Sequence, residues 1–160
     1  MSNIDSKASG PTPFMTEIPK DALAVWRKPD RAISPIAIVA TVDADGSART
    51  APFGSLRAVT SRLLRFASSR YHDTYLNLCR DNRVTVALLS PPNIALTVRG
   101  RARVIKEPMD SYENGAILEV DVEEVKNDMV RTVRLDSGIT ITSQQGFEWW
   151  FDGIIGEMEL

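Results

Sequence analysis

The chain has 160 residues, 43% of them apolar and 25% charged, with a formal net charge of −2; this fits one soluble domain and gives no overall reason to expect nucleic acid or an anionic membrane as partner. Its one cysteine, Cys79, excludes an internal disulfide and a cysteine-rich metal site, and suits a reducing cytoplasm. No charged start leads into an apolar signal segment, and no run nears the roughly 20 apolar residues of a membrane span, so a soluble cytoplasmic protein is expected.

The first residues are small and polar and are broken by Gly10, Pro11 and Pro13, a composition that buries too little apolar surface to hold a fixed shape. The expected organisation is a flexible arm over 1–15 and a single domain over 16–160. Thr16 offers a helix cap, Pro19 suits a first helical turn, and Leu23 with Trp26 form an apolar stripe before Pro29 ends the short helix.

Ser34 to Val42 is β-branched and apolar, Asp45-Gly46 is a hairpin signal, and Ser47 to Leu56 resumes as a second strand. Pro52 lies within that strand and implies an interrupted ladder or a sheet edge. A third strand covers Leu63 to Ala67, a helix His72 to Asp81, and a fourth strand Val84 to Leu89 before Pro91-Pro92 turns the chain. Ile94 to Ile105 alternates apolar with polar residues, and Gly100 within it suggests a bend or bulge. A short helical piece is expected near 110–115, then a sixth strand around Val120 and Val122, whose acidic residues from Glu119 to Glu124 suggest a partner surface. Gly138 to Thr142 reads as a brief strand.

In the tail, Phe147, Trp150 and Ile154 share one helical stripe, expected to pack on the body. Trp149 falls on another face and suits a dimer seam, the simpler explanation, or a lid over a flat ligand. The resulting fold class is mainly β: an antiparallel split barrel with one internal helix after the third strand and short terminal helices.

The turn between the third strand and the internal helix carries the most chemistry. Ser68, Ser69, Arg70, His72 and Thr74 gather hydroxyls, a planar cation and fresh helical N–H groups at one place, which is what a phosphate requires. Asp73 there would repel an anion unless it points away. The same residues equally make an ordinary capped helix with no ligand, His72 being then a plain capping residue. The surrounding region is rich in arginine, at Arg57, Arg62, Arg65, Arg70, Arg80 and Arg83, against Asp73 and Asp81 alone.

Together, Ser34-Pro35-Ile36-Ala37-Ile38-Val39-Ala40-Thr41 before the Asp-Gly turn, Ala51-Pro52-Phe53, Arg65-Phe66-Ala67-Ser68-Ser69, Asn77-Leu78, Arg83-Val84 and Val98-Arg99-Gly100-Arg101-Ala102 resemble the flavin-binding split-barrel proteins related to pyridoxamine 5′-phosphate oxidase. The resemblance implies a homodimer holding FMN in grooves between subunits, with Thr50, Ala51 and Pro52 along the ring and Ser68 at the phosphate. Where the family often carries a basic pair before Asn-Leu, this chain has His72-Asp73-Thr74. Arg70 would then supply the charge, with Ser69, His72 and Thr74 adding hydrogen bonds. The substrate-binding C-terminal segment of genuine pyridoxamine-phosphate oxidases is not recognisable in 146–160.

The implied activity is an FMN-dependent oxidoreductase passing hydride through flavin N5 from NAD(P)H to a small acceptor. The alternatives are an F420-dependent reductase of the same fold, a flavin-binding sensor without turnover, and a structural dimer whose pocket is vestigial. Flavin brings its own redox chemistry, so no catalytic side chain is assigned, and no metal is expected.

Overall fold

A computed structural model of the chain describes residues 13–159. Of the expected arm, residues 1–12 lie outside the described residues, and Met15 is tied to Val125 by a reciprocal pair of backbone hydrogen bonds of 2.7 Å. The first helix, α1, covers Lys20–Trp26. Thr16 does not cap it, because the helix opens after Pro19, whose extended backbone forms the N-cap without a side-chain bond.

Seven strands follow: β1 Ala37–Val42, β2 Ala48–Phe53, β3 Arg57–Thr60, β4 Leu63–Ser69, β5 Arg83–Ser90, β6 Ile94–Lys106 and β7 Gly115–Asn127. Helix α2, Asp73–Arg80, lies between β4 and β5, and α3, Phe147–Met158, ends the chain. Every pairing is antiparallel, in the order β2-β1-β5-β6-β7-β4-β3. The sheet is open in one chain, as a split barrel requires. Pro52 sits on β2 at one edge, opposite Ile38, where its missing N–H does not interrupt an interior ladder.

Three expectations need correction. The second strand stops at Phe53, and Arg57–Thr60 forms a separate strand on the far edge of the sheet; the chain turns at Gly54, where an added Cβ would come within 2.5 Å of the Ile33 side chain. The segment 110–115 is a turn, closed by Gly115 N–H donating to Tyr112 O at 2.8 Å, and β7 begins at its end. Residues 138–142 join no strand and are held by isolated bonds, from Ile36 N–H to Ile139 O at 2.9 Å and from Ile141 N–H to Ser34 Oγ at 3.2 Å.

The sheet's two faces bury different clusters. On one side Val39, Leu64, Phe66, Val86, Leu96, Val98, Leu118 and Val120 form a cluster with Trp26 of α1. On the other side Ile117 and Met109 meet Phe151, Ile154, Ile155 and Met158 of α3. Adjacent residues of β4 and β7 therefore face opposite cores: Phe66 lies opposite Leu118 on one face, while Ala67 lies opposite Ile117 on the other. Period-two alternation explains both.

The acidic stretch of β7 is paired within the chain. Its carboxylates are matched by arginines of neighbouring strands: Glu124 by Arg99, Glu123 by Arg101, Asp121 by Arg103, and Glu119 by both Arg103 and Arg65. Cross-strand neighbours carry the opposite sign. The sequence shows two charged stretches; only their register shows that they neutralise each other.

Candidate functional site

β4 runs out at Ser69, and after three intervening residues α2 begins at Asp73. In the turn, Arg70 N–H donates to Asn114 O at 2.7 Å, Tyr71 N–H to Ser69 Oγ at 3.2 Å and His72 N–H to Ser69 O at 3.2 Å. His72 caps α2: its Nδ1 accepts from Thr74 N–H at 3.1 Å. With Nδ1 accepting, the imidazole proton of the neutral ring lies on Nε2. The ring also meets Phe53 edge-on, with centroids 5.5 Å apart.

The other turn residues divide in their exposure. Ser68 is buried, with its hydroxyl donating to Ser69 O at 3.0 Å, and Thr74 is buried behind the cap. Arg70 donates from one terminal nitrogen to Glu113 O at 3.0 Å, while its Nε is buried without a partner. Asp73 is turned towards the β1–β2 hairpin, 3.8 Å from Arg49, and is not among the residues that line the cavity described next. Of the neighbouring arginines, Arg62, Arg65 and Arg83 are held by Glu17, Glu119 and Asp81. Arg80 donates to Val42 O and Asn77 Oδ1, and Arg57 donates to Ser55 O while one of its terminal nitrogens is buried without a partner; Arg70 is the arginine within the turn itself.

Beside this turn lies a cavity of about 240 Å³ between the sheet and α3. Pro52, Phe53, Gly54 and Ser55 form one wall, Ala67, Ser68, Ser69 and His72 the floor, and Phe147, Trp150, Phe151 and Ile154 of α3 the roof, with Ile33, Tyr112 and Ile141 at the sides. Of the sequence-predicted residues, Pro52, Ser68, Ser69 and His72 line it. Thr50, Ala51, Arg70 and Thr74 do not. Thr50 is exposed like Pro52, two residues along β2, whereas Ala51 between them is turned into the core.

Trp149 is 81% exposed and touches no part of the cavity, while the stripe assigned to packing, Phe147, Trp150 and Ile154, both packs and lines it. Trp150 meets Tyr112 edge-on at 5.4 Å, and Phe147 stacks on Phe151 at 5.7 Å. Tyr112, Phe53 and Ile33 were not anticipated. Adjacency to Pro52 was a signal for Phe53; Tyr112 and Ile33 carried none.

Polar contacts pin α3 in place. Glu157 accepts from Asp110 N–H and Ser111 N–H, each at 2.7 Å, and faces Lys106 at 3.0 Å. Burial alone would raise its carboxyl, yet the Ser111, Asp110 and Lys106 hydrogen bonds hold it down at about 2. Arg31 grips Glu159 with two bonds of 2.8 and 2.7 Å.

A family model and several solved structures match the chain. A family model described as pyridoxamine 5′-phosphate oxidase matches residues 31–131, well over half of the chain. The chain belongs to the pyridoxamine 5′-phosphate oxidase family. Among solved structures it resembles a candidate pyridoxamine 5′-phosphate oxidase from Lactobacillus delbrueckii (20% identity, 69% of this chain and 94% of that one, TM-score 0.57). It also resembles HupZ of Group A Streptococcus (18% identity, 74% and 98%, TM-score 0.52). An F420 reductase is similar as well (17% identity, 69% and 100%, TM-score 0.55). These likenesses show the fold. No curated protein sequence matches the chain.

In this member of the pyridoxamine 5′-phosphate oxidase family, a buried lysine supports the cavity from behind. Lys28 is 3% exposed and donates from Nζ to Ile33 O at 3.1 Å and Gly54 O at 3.2 Å, both carbonyls of cavity-lining residues. Burial, and then Arg57, lower its pKa to about 7, with Asp30 opposing. The unfolded chain therefore binds more protons above pH 7, so stability should rise as pH climbs from about 7 towards the ordinary lysine value of 10.5. Lys28→Met should flatten that rise, read as denaturation midpoints at about pH 6.5, 8 and 9.5. An equal slope in both proteins would remove Lys28 as its source.

Proposed function

We propose that the chain binds FMN as a homodimer and works as a flavin-dependent oxidoreductase. The observation that carries the reading is Arg70, whose buried Nε has no partner, in the turn that also holds Ser68 and Ser69 at the rim of an apolar cavity. A phosphate there would take the Arg70 guanidinium and serine hydroxyls, with the dipole of α2 adding favourable potential. Asp73, drawn towards Arg49, leaves the rim free of its charge. The exposed face of β2 at Thr50 and Pro52 offers an edge surface for a flat ring, which a second copy would cover. When bound, flavin supplies hydride transfer at N5 between NAD(P)H and a small acceptor. The protein's part is to hold the phosphate, orient the ring and exclude water with the α3 aromatics.

An F420-dependent reductase is the second reading, favoured by the fold shared with an F420 reductase. Its longer anionic tail calls for more cations than Arg70. Titrating the dimer with FMN, riboflavin and F420 tests both. Arg70→Ala should weaken FMN by about 1–3 kcal/mol, the scale of a charge-assisted bond to phosphate, and leave riboflavin nearly unchanged. Equal losses would move Arg70 away from the phosphate, and preference for F420 would replace FMN.

A further inference from the structure

We infer that Lys28 and Arg57, two buried cations behind the cavity wall at Gly54 and Ser55, favour the more negatively charged form of the ring bound there and so raise the reduction potential of the flavin. The inference rests on the flavin reading. Lys28 is 3% and Arg57 7% exposed, and among the described residues neither side chain ends on a carboxylate. Lys28 donates from Nζ to Ile33 O and Gly54 O, with its ammonium 5.3 Å from the centre of the Trp26 ring. Arg57 donates from Nε to Ser55 O at 3.0 Å, and one of its terminal nitrogens is buried without a partner. Ile33, Gly54 and Ser55 all line the cavity, so each cation lies one backbone carbonyl behind it.

Two cations taken out of water lose their hydration, and burial, then Arg57, lowers Lys28 to a pKa of about 7. The carboxylates that oppose this charge are Asp30 and Glu159, and Glu159 is already gripped by Arg31. The loop that sets Lys28 in place is itself strained: Lys28 and Arg31 have φ of +47° and +60°, in the left-handed region that favours glycine. Gly54 and Ser55 directly follow β2, whose Thr50 and Pro52 are given to the ring. The positive potential therefore falls on the ring's side of the site, where the low dielectric of the interior weakens it less than water would. The flavin couple takes up two electrons and one proton, which leaves one more negative charge on the ring. A fixed positive potential stabilises the reduced form more than the oxidised one.

Redox titration of the FMN-loaded protein with dithionite against a reference dye, at about pH 6 so that Lys28 carries its proton, tests this. The wild-type protein should hold reduced FMN at least about tenfold more tightly than oxidised FMN, a midpoint about 30 mV above that of free FMN. Lys28→Gln keeps a donor for the Ile33 and Gly54 carbonyls and removes the charge. It should lower the midpoint by about 30 mV, a tenfold loss confined to the reduced form. Arg57→Gln should do the same, whereas Arg57→Lys, which keeps the charge, and Arg62→Gln, between β3 and β4 and exposed, should leave the midpoint where it is. Should Lys28→Gln fail to fold, the two Arg57 variants carry the test. Equal losses for oxidised and reduced FMN would make both residues structural supports only and, like an unchanged midpoint, would overturn the inference. Absence of any change in the flavin spectrum on adding FMN to the wild type would instead sink the flavin reading. The charge preference is then read on 4-nitrophenol, whose anion absorbs separately from its neutral form. The FMN-free wild type should bind the anion at least about tenfold more tightly, and Lys28→Gln should lose that preference. Equal affinity of the wild type for the two forms, or no binding of either, would overturn the inference.

Discussion

Replacing Glu119 with alanine should cost the fold about 3–5 kcal/mol, the scale for removing one partner of a buried ion pair. Glu119 is 6% exposed. One carboxylate oxygen accepts from Arg65 Nε at 2.9 Å and from its terminal nitrogen at 2.6 Å, and the other accepts from Arg103 at 2.8 Å. The Arg65 side chain is itself only 13% exposed and donates to Met158 O at 2.7 Å, at the end of α3. Without the carboxylate, Arg65 keeps a buried charge with one neutral acceptor, and the clamp joining sheet to helix loosens. Glu119→Gln keeps hydrogen-bonding capacity and should lose less than the alanine variant. Urea titration measures both. A loss under about 1 kcal/mol for the alanine variant would mean that the pair behaves as a surface bridge and that α3 is held by its apolar face alone.

Gly100→Ala should be comparably damaging, by about 3 kcal/mol or more, for a steric reason. A Cβ at this position would lie 2.0 Å from the backbone oxygen of Asp121. That atom belongs to the facing strand and is fixed by the ladder, so it cannot yield as a flexible side chain would. The close approach accompanies a register shift: Arg99 lies opposite Glu124 and Gly100 opposite Val122, so β7 has one residue more than β6 between these pairs. Gly46 offers a contrast. Its φ is +89° and nothing lies within 4 Å of an added Cβ, so alanine there meets conformational strain alone, on the order of 1 kcal/mol. Thermal denaturation of the two variants should rank them clearly. If Gly100→Ala were the milder, the bulge would be yielding by backbone movement.

How much was readable in advance follows the range of the interactions. The Asp45-Gly46 hairpin closes through Asp43 N–H to Ser47 O at 2.8 Å and Gly46 N–H to Asp43 O at 2.9 Å, bonds within five residues. The β4–α2 turn is equally local, and its residues were singled out because side chains that cap a helix or bind an anion must sit next to the N–H groups they serve. The roles within the turn were less legible. The capping atom is His72 Nδ1, one of the two roles open to His72 in the sequence, while Asp73 is the first residue of the helix and lies 3.8 Å from Arg49, 24 positions earlier.

The sequence by itself determined the antiparallel β class, the edge position implied by Pro52, the bulge implied by Gly100 and the chemical character of the turn, since each follows from alternation, backbone restriction or adjacency. Tertiary structure alone decided which face of the tail matters. A helix with aromatic residues at 147, 149, 150 and 151 has two possible inner faces, and the choice fell to the one that meets Ile117 and Met109 while Glu157 and Arg65 fix its rotation. It alone decided, too, that the acidic strand would be neutralised by arginines of β6 and β4, because registry between segments some 16 to 54 positions apart leaves no local trace. The cavity has the same origin: Ile33, Phe53, Tyr112 and Trp150 become neighbours only when strand edge, turn and helix pack together.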